Sequence, residues 1–439
     1  MKSRLLIAGF MFAVVIFGNL DLQAQEQEIY SVNDCIKIAL KNNTDIVTSQ
    51  SNYQMSQAGL RSAWGNFMPS ITASAQWRRR NEDLIMFRFK DFVQSKDSYY
   101  YGVELNQPLF TGFANYAMLQ KNRAEEKMYK YYLTGTQQQT VLEVKEKYYE
   151  VLKSEQLLVV AEEFLLASQQ ELRRIEAMEE IGSASRAEVY QQKVRVGENK
   201  LSLIDAQNAL SNAKAQLNYT LGIDVNTELD LDDDILEVSD VDVNYEALVN
   251  QALENRVDYQ AAHQNVNSAK ADVTLQRSDY YPSVSLRGEY SWFDVKFPES
   301  TQALEEFDNY SVSLNLSMTL FQGFKTRANV SSAKASLMMA QAELEQTKRQ
   351  VMLDVKTAVL NVQKAAENIE VTQENLVSAE EDYRLASERY RVGSGTLLEQ
   401  MNAESSLSSA KANRIEALYD YQYYLAALEL AVGNLKVVY

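Results

Sequence analysis

The side chains that most often carry enzyme chemistry are scarce in this chain of 439 residues, which has one histidine, His263, and one cysteine, Cys35. A zinc site draws on several His and Cys ligands, and a nucleophilic triad needs a His beside its Ser or Cys. Neither has material here, and a single Cys rules out an intrachain disulfide. Carboxylates are plentiful, with 60 Asp and Glu against 43 Lys and Arg and a net charge of −17. Two carboxylates facing across a cleft do acid–base work, but no spacing in the chain pairs them so. The densest acidic run is Asp224, Glu228, Asp230, Asp232, Asp233, Asp234, Glu237, Asp240 and Asp242. It lacks the glycine and ligand spacing of a calcium loop, so it reads as a solvated linker. No G-x-x-x-x-G-K-[ST] phosphate loop occurs, and Met338-Met339 reads as packing rather than as part of a metal path. The negative balance argues against a nucleic-acid partner. The expectation is therefore a non-enzyme with no cofactor, no metal site and no catalytic residue.

The elements that carry the chain repeat. Leu109-Phe110-Thr111-Gly112-Phe113 has a counterpart in Leu320-Phe321-Gln322-Gly323-Phe324. Gly112 to Gly182 and Gly323 to Gly393 both span 70 positions, and Gly182 to Gly222 and Gly393 to Gly433 both span 40. Two copies this regular set the architecture. Inside each copy runs a seven-residue apolar stripe: Val144, Val151, Leu158, Leu165 and Leu172 in the first, and Val355, Val362, Ile369, Leu376 and Tyr383 in the second. The returning arm carries Val189, Val196, Leu203, Leu210 and Leu217. A sustained period of seven makes helices that pack along one seam. At 1.5 Å per residue, 70 residues of helix reach roughly 105 Å. No 18-residue window of these arms is free of charge, so they are not membrane spans. The four prolines, Pro69, Pro108, Pro282 and Pro298, all fall outside them.

Elsewhere the period drops to two. Ile71, Ala73, Ala75 and Trp77 alternate with polar residues, as do Tyr99, Tyr101, Val103 and Leu105. The second copy does the same with Val284, Leu286, Tyr290 and Trp292, and with Tyr310, Val312, Leu314, Leu316, Met318 and Leu320. Such strands of about ten residues, apolar on one face, have the length of transmembrane β-strands. Trp77, Tyr99, Trp292 and Tyr310 lie at one end, and Phe67, Phe110, Tyr281 and Phe321 near the other, as an aromatic girdle would. Four strands cannot close a barrel, and lipid tolerates no open edge. An oligomer is required, and eight, twelve or sixteen strands would each satisfy closure. The stretches Arg78–Ser98 and Phe293–Asn309 read as polar loops between strands.

The expected organisation is a signal peptide over 1–24, with a basic start, a short apolar run and a small residue before the cleavage point. A first half-repeat over 25–222 holds helices within 31–67, strands 70–78 and 99–110, and a helical hairpin 112–221. A second over 223–439 holds the linker 223–244, helices within 245–280, strands 283–293 and 310–321, and a hairpin 323–432. The two repeats form one domain.

These features resemble the TolC-like outer-membrane efflux proteins over essentially the whole mature chain. Ala39-Leu40-Lys41-Asn42-Asn43-Thr44-Asp45-Ile46 resembles the family's opening motif, with Thr44 in place of the usual Pro, and Glu254-Asn255-Arg256-Val257-Asp258 resembles its second copy, with Val257 in place of Pro. Pro108–Phe113 and Leu320–Phe324 resemble the strand-to-helix junctions, and Tyr390–Glu399 the second hairpin tip. The resemblance implies a mixed α and β membrane protein. It is a homotrimer whose twelve strands form one β-barrel in outer-membrane lipid, with the long hairpins forming a coiled-coil tunnel through the periplasm. It implies a passive export channel of a Gram-negative outer membrane. The channel docks at its helical tips on a periplasmic adaptor, which couples it to an inner-membrane pump of the RND or ABC type, for multidrug efflux or type I secretion. The competing reading is a periplasm-spanning structural coiled coil without a pore.

The resemblance also places residues. Relatives carry an acid six positions after the tip glycine, at the constriction; here these are Glu188 and Glu399. A ring of carboxylates on a narrow axis favours cations. A second acid is replaced by Asn402, and a basic position by Gly395. Tyr390 is implied to hold the tip closed. Gly182, Ser183, Gly393, Ser394, Gly395 and Thr396 are implied to form the adaptor-docking tips. Position 25 is Gln rather than a lipidated Cys, so no lipid anchor is expected.

Overall fold

The structure, a computed structural model, describes residues 29–88, 91–232, 244–297 and 308–437. The expected signal peptide, half of the acidic linker and the middle of the stretch 293–309 lie outside the described residues. Eight α-helices are present among them: α1 (Val32–Asn42), α2 (Thr44–Gly65), α3 (Ala114–Glu180), α4 (Arg186–Leu221), α5 (Tyr245–Asn255), α6 (Val257–Arg277), α7 (Lys325–Arg391) and α8 (Leu397–Val432). The strands are β1 (Ile29–Tyr30), β2 (Ser70–Arg88), β3 (Asp91–Thr111), β4 (Asp230–Leu231), β5 (Ser283–Asp294) and β6 (Asp308–Ser317).

The helices α3 and α7 each run 67 residues, about 100 Å at 1.5 Å per residue. α3 packs along α4 and α7 along α8, so each copy of the repeat is a hairpin. Glycine ends the arms. Gly182, Gly222, Gly393 and Gly433 all take φ between +71° and +78°, the left-handed conformation that ends a helix at little cost only in glycine. The first stripe enters the core as expected, with Val144, Val151, Val355, Val362 and Ile369 buried. Toward the tips the seam becomes polar. Gln192 and Asn199 are buried there and donate to the Ser168 and Phe164 carbonyls at 3.0 and 3.1 Å.

The main core girdles the middle of the hairpins. Cys35, Ile36 and Ala39 of α1 pack on Val141–Leu152 of α3, Leu217 and Leu221 of α4, and Tyr419 and Ala426 of α8. α5 packs Val249 and Ala252 in the matching place on α7. Cys35 is enclosed there, and burial pushes its thiol up to about 12, an inert core position. The break at Asn42-Asn43 is a cap: the Asn43 side chain accepts from the Asp45 and Ile46 amides, at 2.8 and 3.4 Å, and starts α2. In the second copy Arg256 occupies this break and pairs with Asp258 at 2.6 Å and Asp354 at 2.8 Å, which ties the break to α7.

The larger sheet has the order β2-β3-β5-β6, antiparallel throughout. Two features depart from expectation. The stretch Arg78–Ser98, read as a loop, is strand for nearly all of its length. β2 and β3 pair through an irregularity between Arg79 and Leu84, after which Met86 lies opposite Val93 and Phe87 opposite Phe92. The Phe87 and Phe92 rings meet edge to face at 5.3 Å. Cross-strand apolar and aromatic pairs of this kind extend a hairpin past a break in register. In the other direction, β6 stops at Ser317 rather than near position 321, because its partner begins at Ser283, opposite Ser317. A small parallel sheet of β1 on β4 was not foreseen; two residues are too few to show a period.

Candidate functional site: the barrel face and the helical tips

The register sorts the large sheet into two faces. Opposed pairs on one face include Ala73 with Val103, Ala75 with Tyr101, Trp77 with Tyr99, Val103 with Tyr290, Tyr290 with Tyr310, Leu286 with Leu314 and Val284 with Leu316. The other face pairs Thr72 with Glu104, Ser74 with Gly102, Glu104 with Glu289, and Arg287 with Ser313. An Arg287–Glu104 ion pair at 2.6 Å lies on this polar side. One side is therefore suited to hydrocarbon and the other to water. A bulge at Pro108/Phe110 brings Phe110, rather than Leu109, opposite Val284, which keeps the aromatic end on the apolar side. Trp77, Tyr310 and Phe321 stand exposed, Trp77 at 60%. Trp292 corrects the expectation. It lies on the apolar face but is 2% exposed, stacked 5.5 Å from Tyr101, so it is enclosed rather than presented. Tyr99 and Phe110 are half-buried, against Phe297 at 5.5 Å and Phe113 at 5.2 Å.

Each strand-to-helix junction carries consecutive left-handed residues. Gly112 and Phe113 have φ of +61° and +72°, and Gly323 and Phe324 have +59° and +67°. For a phenylalanine this costs about 1–2 kcal/mol. Phe113 sits edge to face against Phe110 and Tyr281, at 5.2 and 5.6 Å; each such pair offsets about 0.5–1.5 kcal/mol of that strain.

At the far end, Ser183 and Ser394 close the two turns. The Ser183 amide and hydroxyl donate to the Met178 carbonyl at 2.8 and 3.0 Å, and the Ser394 amide and hydroxyl donate to Arg389 at 2.9 and 3.3 Å. Gly395 donates to the same Arg389 carbonyl at 3.0 Å. Gly182, Ser183, Gly393, Ser394 and Thr396 are exposed, and Gly395 half so. Glu188 and Glu399 have one local role in common. Glu188 accepts from the Ser185 amide at 2.6 Å while its own amide donates to the Ser185 hydroxyl at 3.3 Å. Glu399 does the same with Thr396, at 3.1 and 3.2 Å. Both are the third residues of capping boxes, at the positive ends of α4 and α8.

Tyr390 is the residue that brings the two tips together. It is buried with Ile175, Val189 and Leu397, and the Arg174 guanidinium lies 5.3 Å from its ring centroid. Its hydroxyl is enclosed without a well-formed hydrogen bond. Burial raises its pKa first, and the nearby Glu188 carboxylate second. With no hydrogen bond of good geometry among the described residues, that hydroxyl adds little that a phenyl ring would not. Tyr390→Phe is therefore expected to leave tip packing intact or tighten it by about 1 kcal/mol, while Tyr390→Ala opens a cavity worth about 3–5 kcal/mol. Protease nicking at the tip would compare them; equal nicking of both variants would overturn the packing role.

Sequence reasoning missed a cluster above the tip. Glu404 of α8, 5% exposed, accepts from Arg195 Nε and from Asn199 Nδ2, both at 3.3 Å. It ties α4 to α8, and so one hairpin to the other. The signal was present as Gln192 and Asn199, polar residues three places after the apolar Val189 and Val196 of the returning stripe.

The model of the outer membrane efflux protein family matches residues 35–223 and 248–434. Outer membrane protein TolC of Vibrio cholerae serotype O1 is 21% identical over 303 residues, which cover 69% of each chain. The Campylobacter jejuni CmeC outer membrane channel superposes with a TM-score of 0.82 at 16% identity, covering 98% of this chain and 94% of its own. The outer membrane protein VceC of Vibrio cholerae gives 0.79 at 17%, covering 92% and 96%.

Proposed function

The chain belongs to the outer membrane efflux protein family, and from that premise we propose that it is a passive trimeric duct. It lies in the outer membrane of a Gram-negative cell. The observation that carries the reading is the four-stranded sheet with one continuous apolar face, standing on two hairpins about 100 Å long. Among the described residues, both outer strands of that sheet, β2 and β6, have a free edge. Open edges have no place in lipid. Three copies closing edge to edge give twelve strands around a polar lumen lined by Glu104, Glu289 and Arg287, with outer-membrane lipid against the apolar face. The hairpins extend the lumen through the periplasm. Their exposed turns, Gly182-Ser183 and Gly393-Ser394-Gly395-Thr396, form a surface for a periplasmic adaptor. That adaptor joins the duct to an inner-membrane pump of the RND or ABC type, which supplies the energy and selects the cargo. The chain itself does no chemistry.

The narrow point of the duct lies at the tips. Glu188 and Glu399 each commit carboxylate oxygen to a capping box, and the other oxygen is left for the axis, where three-fold repetition makes rings that favour cations. Tyr390 holds the tips together. Single-channel recording of the purified protein in a planar bilayer tests this. A small cation-selective conductance is expected, with cation preference reduced in Glu399→Ala. Conductance indifferent to that change would move the constriction elsewhere. Silence from an intact trimer would favour a sealed structural assembly.

A further inference from the structure

We infer a specific inter-subunit seam, with an ion pair between Lys200 of one copy and Glu374 of the next. The inference rests on the trimeric reading above, and it starts from a contact inside the chain. Where α8 crosses α3, Lys411 Nζ lies 2.9 and 2.8 Å from the two carboxylate oxygens of Glu163. Further along the same seam the Tyr149 and Tyr419 rings lie 6.5 Å apart, and Leu142 and Tyr149 are buried. Ile415 packs against that cluster.

Every residue of this seam has a mate 211 positions away in the other copy of the repeat. The mate of Glu163 is Glu374 and the mate of Lys411 is Lys200, so the charges survive the repeat. The mates of Leu142, Tyr149 and Ile415 are Leu353, Leu360 and Ile204, so apolar character survives at these three, while Tyr419 has the polar Asn208 as its mate. Yet Leu353, Leu360 and Ile204 are exposed, and so are Lys200 and Glu374. Among the described residues neither Lys200 nor Glu374 has an ion-pair partner. The α3–α8 seam is satisfied within one chain; its copy, α7 against α4, is presented on two separate surfaces. A second copy of the chain, rotated about a common axis, brings the α4 surface of one onto the α7 surface of the next.

The sheet points to the same neighbour. Gln107–Thr111 of β3 run past the start of β2 and pair with β5 instead. Their mates, residues 318–322, run past the start of β5 and have no strand beside them among the described residues. A β2 edge from the next copy supplies that strand, in the place β5 takes beside β3.

The test is cysteine cross-linking in the full chain, in outer-membrane vesicles, with a short bifunctional maleimide; Cys35 is fully buried and stays silent. The Lys200→Cys/Glu374→Cys variant should give covalent dimers and trimers on denaturing gels. Lys411→Cys/Glu163→Cys should link within one chain and give no ladder. Lys200→Cys/Glu367→Cys, one heptad out of register, should give none either. Native mass measurement runs beside it. A trimer without the 200/374 ladder, or with the 200/367 ladder in its place, overturns the seam and leaves the trimeric duct standing. A wild-type chain that remains monomeric overturns both.

Discussion

Replacing Arg195 with Met is expected to loosen the lower third of the helical arms by about 3 kcal/mol, the lower end of the cost of orphaning a buried charge. Glu404 is 5% exposed, and its Oε1 accepts from Arg195 and Asn199. Without the guanidinium, the carboxylate keeps one amide donor and loses its counter-charge. Asn199 is the reason the lower end of the range applies. Hydrogen exchange across the start of α8 would read the change as a loss of protection of about a hundredfold, since each 1.4 kcal/mol is a factor of ten. The double variant Arg195→Met/Glu404→Leu removes the buried charge along with its partner and is expected to recover most of the protection, because apolar replacements of similar volume often match a buried ion pair. If the double variant is as loose as the single one, the pair is not what holds α4 to α8.

The second large effect is expected at a glycine. Gly112→Ala puts a methyl group 2.5 Å from the Ser278 carbonyl oxygen and 3.0 Å from Tyr281 Cβ, at a φ of +61°. The left-handed backbone alone costs an alanine about 1–2 kcal/mol. The collision is with backbone, which cannot swing aside, so the junction of β3 and α3 must shift. Gly323→Ala is the control that nature of the repeat supplies. Its φ is +59°, but nothing among the described residues of its own chain lies within 4 Å of the added carbon, so in the dissociated chain it bears the conformational cost alone. Thermal unfolding of the dissociated chain in detergent should place Gly323→Ala modestly below wild type and Gly112→Ala well below it. Equal losses in the two variants would show that backbone conformation, and not the approach of Ser278, sets the requirement.

These two residues also mark where sequence reasoning reaches and where it stops. Gly112 was legible as a boundary, because Leu-Phe-x-Gly-Phe recurs at Gly323 and a strand pattern gives way there to a period of seven. That one of the two glycines is crowded and the other open depends on where the break after α6 falls against the strand end, and no local pattern carries that. Arg195 and Glu404 stand 209 positions apart. Their meeting is decided by how two hairpins lie together, which a stripe on either arm cannot report.

The same division holds across the molecule. Periods of seven and two are local properties, since they follow from 3.6 residues per helical turn and from strand alternation. From them came the paired hairpins, the four strands with one apolar face, and the need for partners to close the sheet. What the tertiary structure decided lies where side chains distant in sequence compete for one space. Trp292, read as facing lipid, is enclosed beside Tyr101. The β2–β3 hairpin continues past its register break because Met86 and Phe87 find Val93 and Phe92 across the strands. Tyr390 continues the α7 stripe, and yet it packs against Ile175 and Val189 of the other hairpin, since a residue at the end of a seam takes whichever neighbour removes it from water.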